Sequence, residues 1–318
     1  MTKKLAKMIG RRLIQSVVVV IIVTMIVFFL IQLVPGDPIL NFLGPNATEE
    51  QIAHFTQLYG FDRPVIYQYF RYLTGLFRGD MGFSVSFQTN VQNVIFSRLN
   101  TTLVIVIPAF IIAIVFGVTF GIIAALNRGK IIDTVVSFVA NIGMSMPLFW
   151  IGILLILVLA VRLRLLPTSG YISIANGFWP WARHLIMPVI VCSFGALASF
   201  TRQTRSALLE VIRQDYVTTA RSKGIKPSRV IFTHQFRNAL IPIVTVAGNA
   251  FGMMVGGTVL IESVFVLPGL GNLMIGAISA RDHMLVSGCV LVIAVFITMV
   301  NLIVDITYGF IDPRTREY

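Results

Sequence analysis

Arg221, Lys223, Lys226, Arg229 and Arg237 crowd into one polar stretch, Asp215 to Pro242, set between apolar runs long enough to cross a bilayer. Such a cluster offers fixed positive charge, not proton transfer or metal binding. The rest of the chain adds little chemistry of the usual kinds. His54, His184, His234 and His283 are scattered and lack metal-ligand spacing, so no bound metal is expected. Cys192 and Cys289 both fall inside apolar runs, which implies no disulfide framework. There is no Gly-x-x-x-x-Gly-Lys-Ser/Thr run, no His-Glu-x-x-His helix and no Gly-x-Ser-x-Gly elbow. A phosphate-cradling loop, an intramembrane protease or a lipid-modifying enzyme therefore has no visible catalytic set. One acid lies within the last apolar run: Asp305, a helical turn from Asn301. An acid at that depth is a functional candidate, or the buried partner of an Asn or Arg.

The polar stretch has a readable local grammar. A helix ends at Gly224, where glycine takes the left-handed conformation without steric cost. Ile225 and Lys226 turn the chain. Pro227 then suits a first helical position, since its missing N–H would have no partner there. A second short helix is expected to about Arg237, with Asn238 to Pro242 leading back into apolar sequence. The expectation is helix, glycine turn, helix, and taken alone it is also compatible with an ordinary basic loop between two spans.

The elements that must position this stretch are membrane helices. With 56% hydrophobic and 12% charged residues and a mean hydropathy of +0.86, the composition is far from that of a soluble globular domain. Six spans are expected: Leu13 to Val34, Thr101 to Leu126, Val135 to Val161, Leu185 to about Phe200, Ile241 to Ile261 and Met284 to Phe310. The first is too long for a secretory signal core and lacks a small-residue cleavage site. The fourth is the weakest, being short, carrying Pro188 and running into a polar helix with Arg202, Arg205 and Arg213. Pro147 should kink the third. Gly117-x-x-x-Gly121 in the second span, and Gly248, Gly252 and Gly256 in the fifth, are spacings that let helices approach closely. The seam in the fifth span serves either a partner across a pore or packing within this chain.

Between the first two spans, Pro35 to Asn100 is polar and aromatic, long for a connector, and reads as an amphipathic cap at the membrane interface. The chain thus divides into 1–34 (cytoplasmic end and first span), 35–100 (extracytoplasmic), 101–310 (membrane core, with the polar loop within 201–240) and 311–318 (cytoplasmic tail). Charge tests this topology. With both termini inside, 17 of the 25 lysines and arginines fall on inner segments and eight on outer ones. That is the positive-inside bias, and it accounts for a net charge of +12 without nucleic acid. The outer loop from Arg162 to Arg183 is an exception, with three arginines and no acid.

Thr219-Ala220-Arg221-Ser222-Lys223-Gly224, closed by Ile241-Pro242, resembles the cytoplasmic coupling loop of ABC-importer permeases. The general pattern opens Glu-Ala-Ala; here Thr218, Thr219 and Ala220 stand in its place, a form similar to the dipeptide, oligopeptide and nickel branch. Further stretches resemble that branch in the expected order: Pro35 to Pro38, Gly60 to Ser84, Gly143 to Trp150, Glu262 to Gly271 and Asp305 to Arg314. The resemblance implies an all-α membrane protein of the type I ABC importer fold in the bacterial inner membrane. It implies import of short peptides, with nickel, a metal chelate or glutathione as alternatives. It also implies a second, similar permease subunit in a heterodimer, two ATP-binding subunits carrying ATP and Mg, and an extracytoplasmic substrate-binding protein. This chain would then bind no cofactor and would not itself be an enzyme.

Carried over residue by residue, Thr219, Ala220, Arg221, Lys223, Gly224, Pro227, Arg229, His234, Arg237 and Asn238 form the ATPase-coupling loop. Gly248, Gly252, Gly256, Glu262, Pro268 and Gly269 are candidates for gate or pore packing. The rival class is a channel or secondary transporter that works without nucleotide. It would place ionisable groups at mid-membrane or show inverted repeats, and the sequence displays neither.

Overall fold

The computed structural model describes residues 2–33, 39, 43–44, 47–60 and 62–311, and nearly all of them are helical. The turn at Pro35 to Pro38, the Pro45-Asn46 pair and the ending Asp312 to Arg314 lie outside the described residues. Among the described residues five helices are long and apolar enough to span: α1 (Thr2–Gln32), α4 (Val91–Leu126), α7 (Phe178–Ile212), α10 (Arg237–Val264) and α12 (His283–Ile311). Each extends past the apolar run that announces it. α4 starts at Val91, well ahead of Thr101, and α7 starts at Phe178 and carries Pro188 inside without breaking.

The expected third span departs from the sequence reading. It is no kinked helix but two helices, α5 (Ile131–Ser145) and α6 (Leu148–Leu155), bent by 105° at the break. Proline disfavours helical backbone in the residue before it as well as removing its own N–H. Met146 accordingly lies extended, at φ −84° and ψ 133°, and Pro147 caps the new helix. A π-helical turn, Ile156–Arg162, continues α6. Counted as one crossing, this pair brings the total to six.

The chain forms two compact units. One comprises residues 14–102 and 268–298. It holds α2 (Glu49–Tyr59), started by a Thr48–Gln51 capping box and ended by left-handed Gly60, and α3 (Val65–Phe77). α3 packs Tyr69 and Tyr72 on Phe28 of α1, and Tyr69 Oη meets Thr24 Oγ1 at 3.3 Å. A short hairpin of two-residue strands follows, β1 (Phe83–Ser84) with β2 (Thr89–Asn90). Buried Asp282 accepts from Ser84 Oγ at 2.6 Å and Ser86 N at 2.9 Å, tying the hairpin to the start of α12. α11 (Leu270–Ser279) completes this unit over a core of Val91, Ile95, Leu285 and Cys289.

The other unit comprises residues 1–13, 103–267 and 299–318, within which α7 is the most enclosed helix. α4 presses on it through two glycines. A Cβ at Gly117 would sit 2.6 Å from Phe200 Cβ, and one at Gly121 would sit 2.5 Å from Thr204 Cβ and 2.7 Å from the Thr201 carbonyl. Only the bare glycine backbone permits that approach. α5 packs on α7 through Gly143 against Phe194 and Ala198. α10 lies along α7 as well, with Ala239 packed into a patch of Ala125, Ala207 and Leu208.

Candidate functional site

The polar stretch leaves α7 at Ile212 and enters α8 (Asp215–Ser222). α8 turns Val217 and Ala220 inward against Val230 and Ile225, a small apolar patch that gives the segment its own fixed shape. Ile225 N returns to the Ala220 carbonyl at 3.4 Å, and Gly224 between them has φ +73°. A Cβ at Gly224 would meet nothing within 4 Å, so the glycine is required by backbone conformation and not by space. Lys226 is extended ahead of Pro227, which opens α9 (Pro227–Arg229).

Beyond Arg229 the structure corrects the sequence reading. In place of a separate second helix ending near Arg237 there is a π-helical stretch, Val230–Phe236, that runs straight into α10 at Arg237. The short helix and the fifth span are one continuous rod, with Pro242 held inside α10. Wider π turns are uncommon and occur mostly where function tolerates a less regular ladder. Gln235 sits in this one, fully buried, and neither its Nε2 nor its Oε1 has a hydrogen-bond partner among the described residues. A buried amide left unpaired costs about 1–3 kcal/mol, so the π stretch is held at some energetic expense.

Around that small core the expected site residues separate into two groups. Thr219, Lys223, Gly224, Lys226, Pro227, Arg229, Arg237 and Asn238 are exposed, whereas Ala220 is buried. Thr219 Oγ1 donates to the Asp215 carbonyl at 3.0 Å, and Asn238 Nδ2 donates to Tyr216 Oη at 2.8 Å. The latter bond fastens α8 to the start of α10. The side chains of Arg221 and His234 lie outside the described residues.

Sequence reasoning missed what fastens α7 to α5. Arg205 Nε and Nη2 donate to Asp133 Oδ1 and Oδ2 at 2.6 and 2.9 Å, a two-pronged pair between α7 and the first turn of α5. Gly129 N, from the preceding loop, adds a third bond at 3.0 Å, and the Asp133 side chain is only 7% exposed. Planar two-point bonding of this kind is among the strongest polar contacts available to a protein. The one sequence signal was a lone acid at the head of an apolar run.

The gate and pore candidates fall in both compact units, four in one and two in the other. Gly248 faces Asn301 Oδ1, 2.8 Å from where its Cβ would be, so this glycine packs α10 against α12. Gly252 is half-buried, and Gly256 is exposed with nothing within 4 Å of a Cβ. Glu262 is fully buried near the end of α10. Pro268 and Gly269 belong to the other unit, where Gly269 precedes α11. Asp305 is paired with Arg12 of α1 at 3.1 Å, which answers the question of its partner.

Residues 117–317 match the family described as binding-protein-dependent transport system inner membrane component, and residues 5–106 match its N-terminal companion. The chain belongs to this family. A probable peptide ABC transporter permease of Sinorhizobium fredii is 38% identical over 306 residues, covering 96% of this chain and 98% of the relative. A di/tripeptide transport system permease of Pseudomonas aeruginosa is 39% identical, covering 93% and 94%. An inward-facing structure of the MetNI methionine ABC transporter matches with a TM-score of 0.54 at 20% identity, over 70% of this chain and 97% of that one. At that identity the likeness is one of fold: the type I importer arrangement. As a member of the family this chain is a multi-pass inner-membrane permease of a transport system, in keeping with its five or six apolar crossings.

Proposed function

We propose that this permease forms half of a pathway importing short peptides, and that ATP hydrolysis on separate subunits drives it through the segment from α8 to the π-helical stretch. The observation that carries the reading is the glycine turn at Gly224, which sets an exposed basic face over the buried Val217, Ala220 and Val230 patch. A surface of that build moves as one body when a partner pushes it. Its two exits are α7, reached through the two-residue turn Arg213-Gln214, and α10, into which the π-helical stretch runs without a break, so a displacement reaches two membrane helices.

In this scheme the exposed Lys223, Lys226, Arg229 and Arg237 meet an ATP-binding subunit, and Ala220 with Val217 keeps the segment rigid. Two such subunits hold ATP and Mg, a second permease chain supplies the other half of the pathway, and an extracytoplasmic binding protein delivers substrate. The names of the relatives support peptides as the substrate class. The test is ATP hydrolysis by the complex reconstituted in lipid with a panel of peptides presented on the binding protein. Stimulation by short peptides is the expected result; stimulation by a nickel chelate alone would reassign the substrate.

A further inference from the structure

We infer that the outer loop between α6 and α7 is a binding site for the phosphate headgroup of an anionic phospholipid. The sequence is unusual there: Arg162 to His184 holds three arginines and a histidine with no acid, on the face where the positive-inside bias disfavours cations. The fold brings Arg183 beside the stretch that holds Arg162 and Arg164. Arg183 Nη2 donates to the Leu165 carbonyl at 2.6 Å, which brings the head of α7 against the Arg162–Leu165 turn. His184 Nδ1 faces the Pro180 carbonyl at 2.8 Å. Leu166, Pro167, Trp179, Pro180, Arg183 and His184 line an open cavity of about 340 Å³ at this junction.

Two features point to a lipid and not to a soluble partner. Arginine and leucine alternate from Arg162 to Leu165, all exposed, so guanidinium groups and apolar tips share one turn. Such side chains place apolar atoms among acyl chains while the charge reaches the headgroup level. Trp179 and Phe178, each 65% exposed, begin α7 at the same level, where indole rings favour the interface. A phosphate group, with its negative charge and pairs of acceptor oxygens, is matched in two-point fashion by the planar guanidinium fork. Arg164 is also held at φ +52°, a conformation costly for any residue with a Cβ. That strain persists where the side chain's position has a use.

The assembled transporter, purified in mild detergent, tests this by mass spectrometry of its bound lipids. The informative variant is Arg162→Gln with Arg164→Gly, since glycine relaxes the left-handed backbone while removing the charge and leaves the Arg183–Leu165 bond in place. Wild type should retain phosphatidylglycerol over phosphatidylcholine from mixed vesicles, and the variant should lose about fivefold of that preference per arginine. Millimolar inorganic phosphate should not displace the lipid, because acyl contacts add to the headgroup's affinity; displacement would show a free-phosphate site instead. Equal lipid retention in wild type and variant would overturn the proposal, as would a variant that keeps its lipid and loses only docking of the binding protein.

Discussion

α1 and α7 are both long membrane helices, and they use the bilayer in opposite ways. The apolar stretch of α1 is 11% buried and that of α7 61%, although α1 is the more hydrophobic of the two. In water the order would be reversed. In a bilayer the lipid tails are as apolar as leucine, so hydrophobicity marks the helix that faces lipid or a neighbouring subunit. The enclosed helix is free to carry small and polar residues, and α7 does: Ser193, Thr201 and Thr204 are buried along it. The helix that reads weakest in sequence is therefore the one about which its unit packs.

If that contrast is correct, the largest loss of stability comes from filling the close approach on α7. Gly121→Val places atoms against Thr204 Cβ and the Thr201 carbonyl, which cannot retreat without moving α7. A cost of about 3 kcal/mol is expected, near the upper end for overpacking. It should appear in thermal unfolding of the assembled complex in lipid-like detergent, or as failure to assemble.

Next in size is the Asp133–Arg205 pair. Asp133→Asn leaves a partly exposed guanidinium short of its partner, with an expected loss of about 2 kcal/mol once the 31% exposure of the Arg205 side chain is allowed for. The exchanged pair, Asp133→Arg with Arg205→Asp, should recover part of it. No recovery would mean that the bond to Gly129, and not the pair, is what matters.

The lipid-facing side of the comparison predicts small effects. Ile22→Ala on exposed α1 should shift stability by less than about 0.5 kcal/mol. A larger loss would place a partner chain on that face. Smallest of all is Tyr72→Phe. Burial pushes the Tyr72 hydroxyl well above its ordinary range, and among the described residues it has no hydrogen-bond partner. Removing it should be neutral or slightly stabilising by the same unfolding measurement.

What could be read from sequence follows the same physics. Long apolar runs announce spans because the bilayer thickness demands them, and charge placement orients them. The turn at Gly224 and Pro227 was legible because both residues encode backbone geometry locally. Pro147 was legible as a disturbance, but its angle depends on what α5 and α6 pack against, so a kink was expected where a 105° break exists. The Asp133–Arg205 pair and the burial of Gln235, which finds no hydrogen-bond partner among the described residues, were not legible: each is defined by neighbours distant along the chain. The π-helical join to α10 was hidden because its residues do not differ in type from those of an ordinary helix.

The central claim is that the Gly224 turn transmits ATPase motion to α7 and α10. It is tested most directly by ATP hydrolysis in reconstituted complexes, with and without loaded binding protein, comparing wild type with Gly224→Asp. At φ +73° with open space around it, the aspartate strains only the turn, so insertion and assembly should be intact. The account predicts that loaded binding protein stimulates the wild type and fails to stimulate the variant, while basal hydrolysis persists. An assembled Gly224→Asp complex that is stimulated and transports as well as wild type would contradict it.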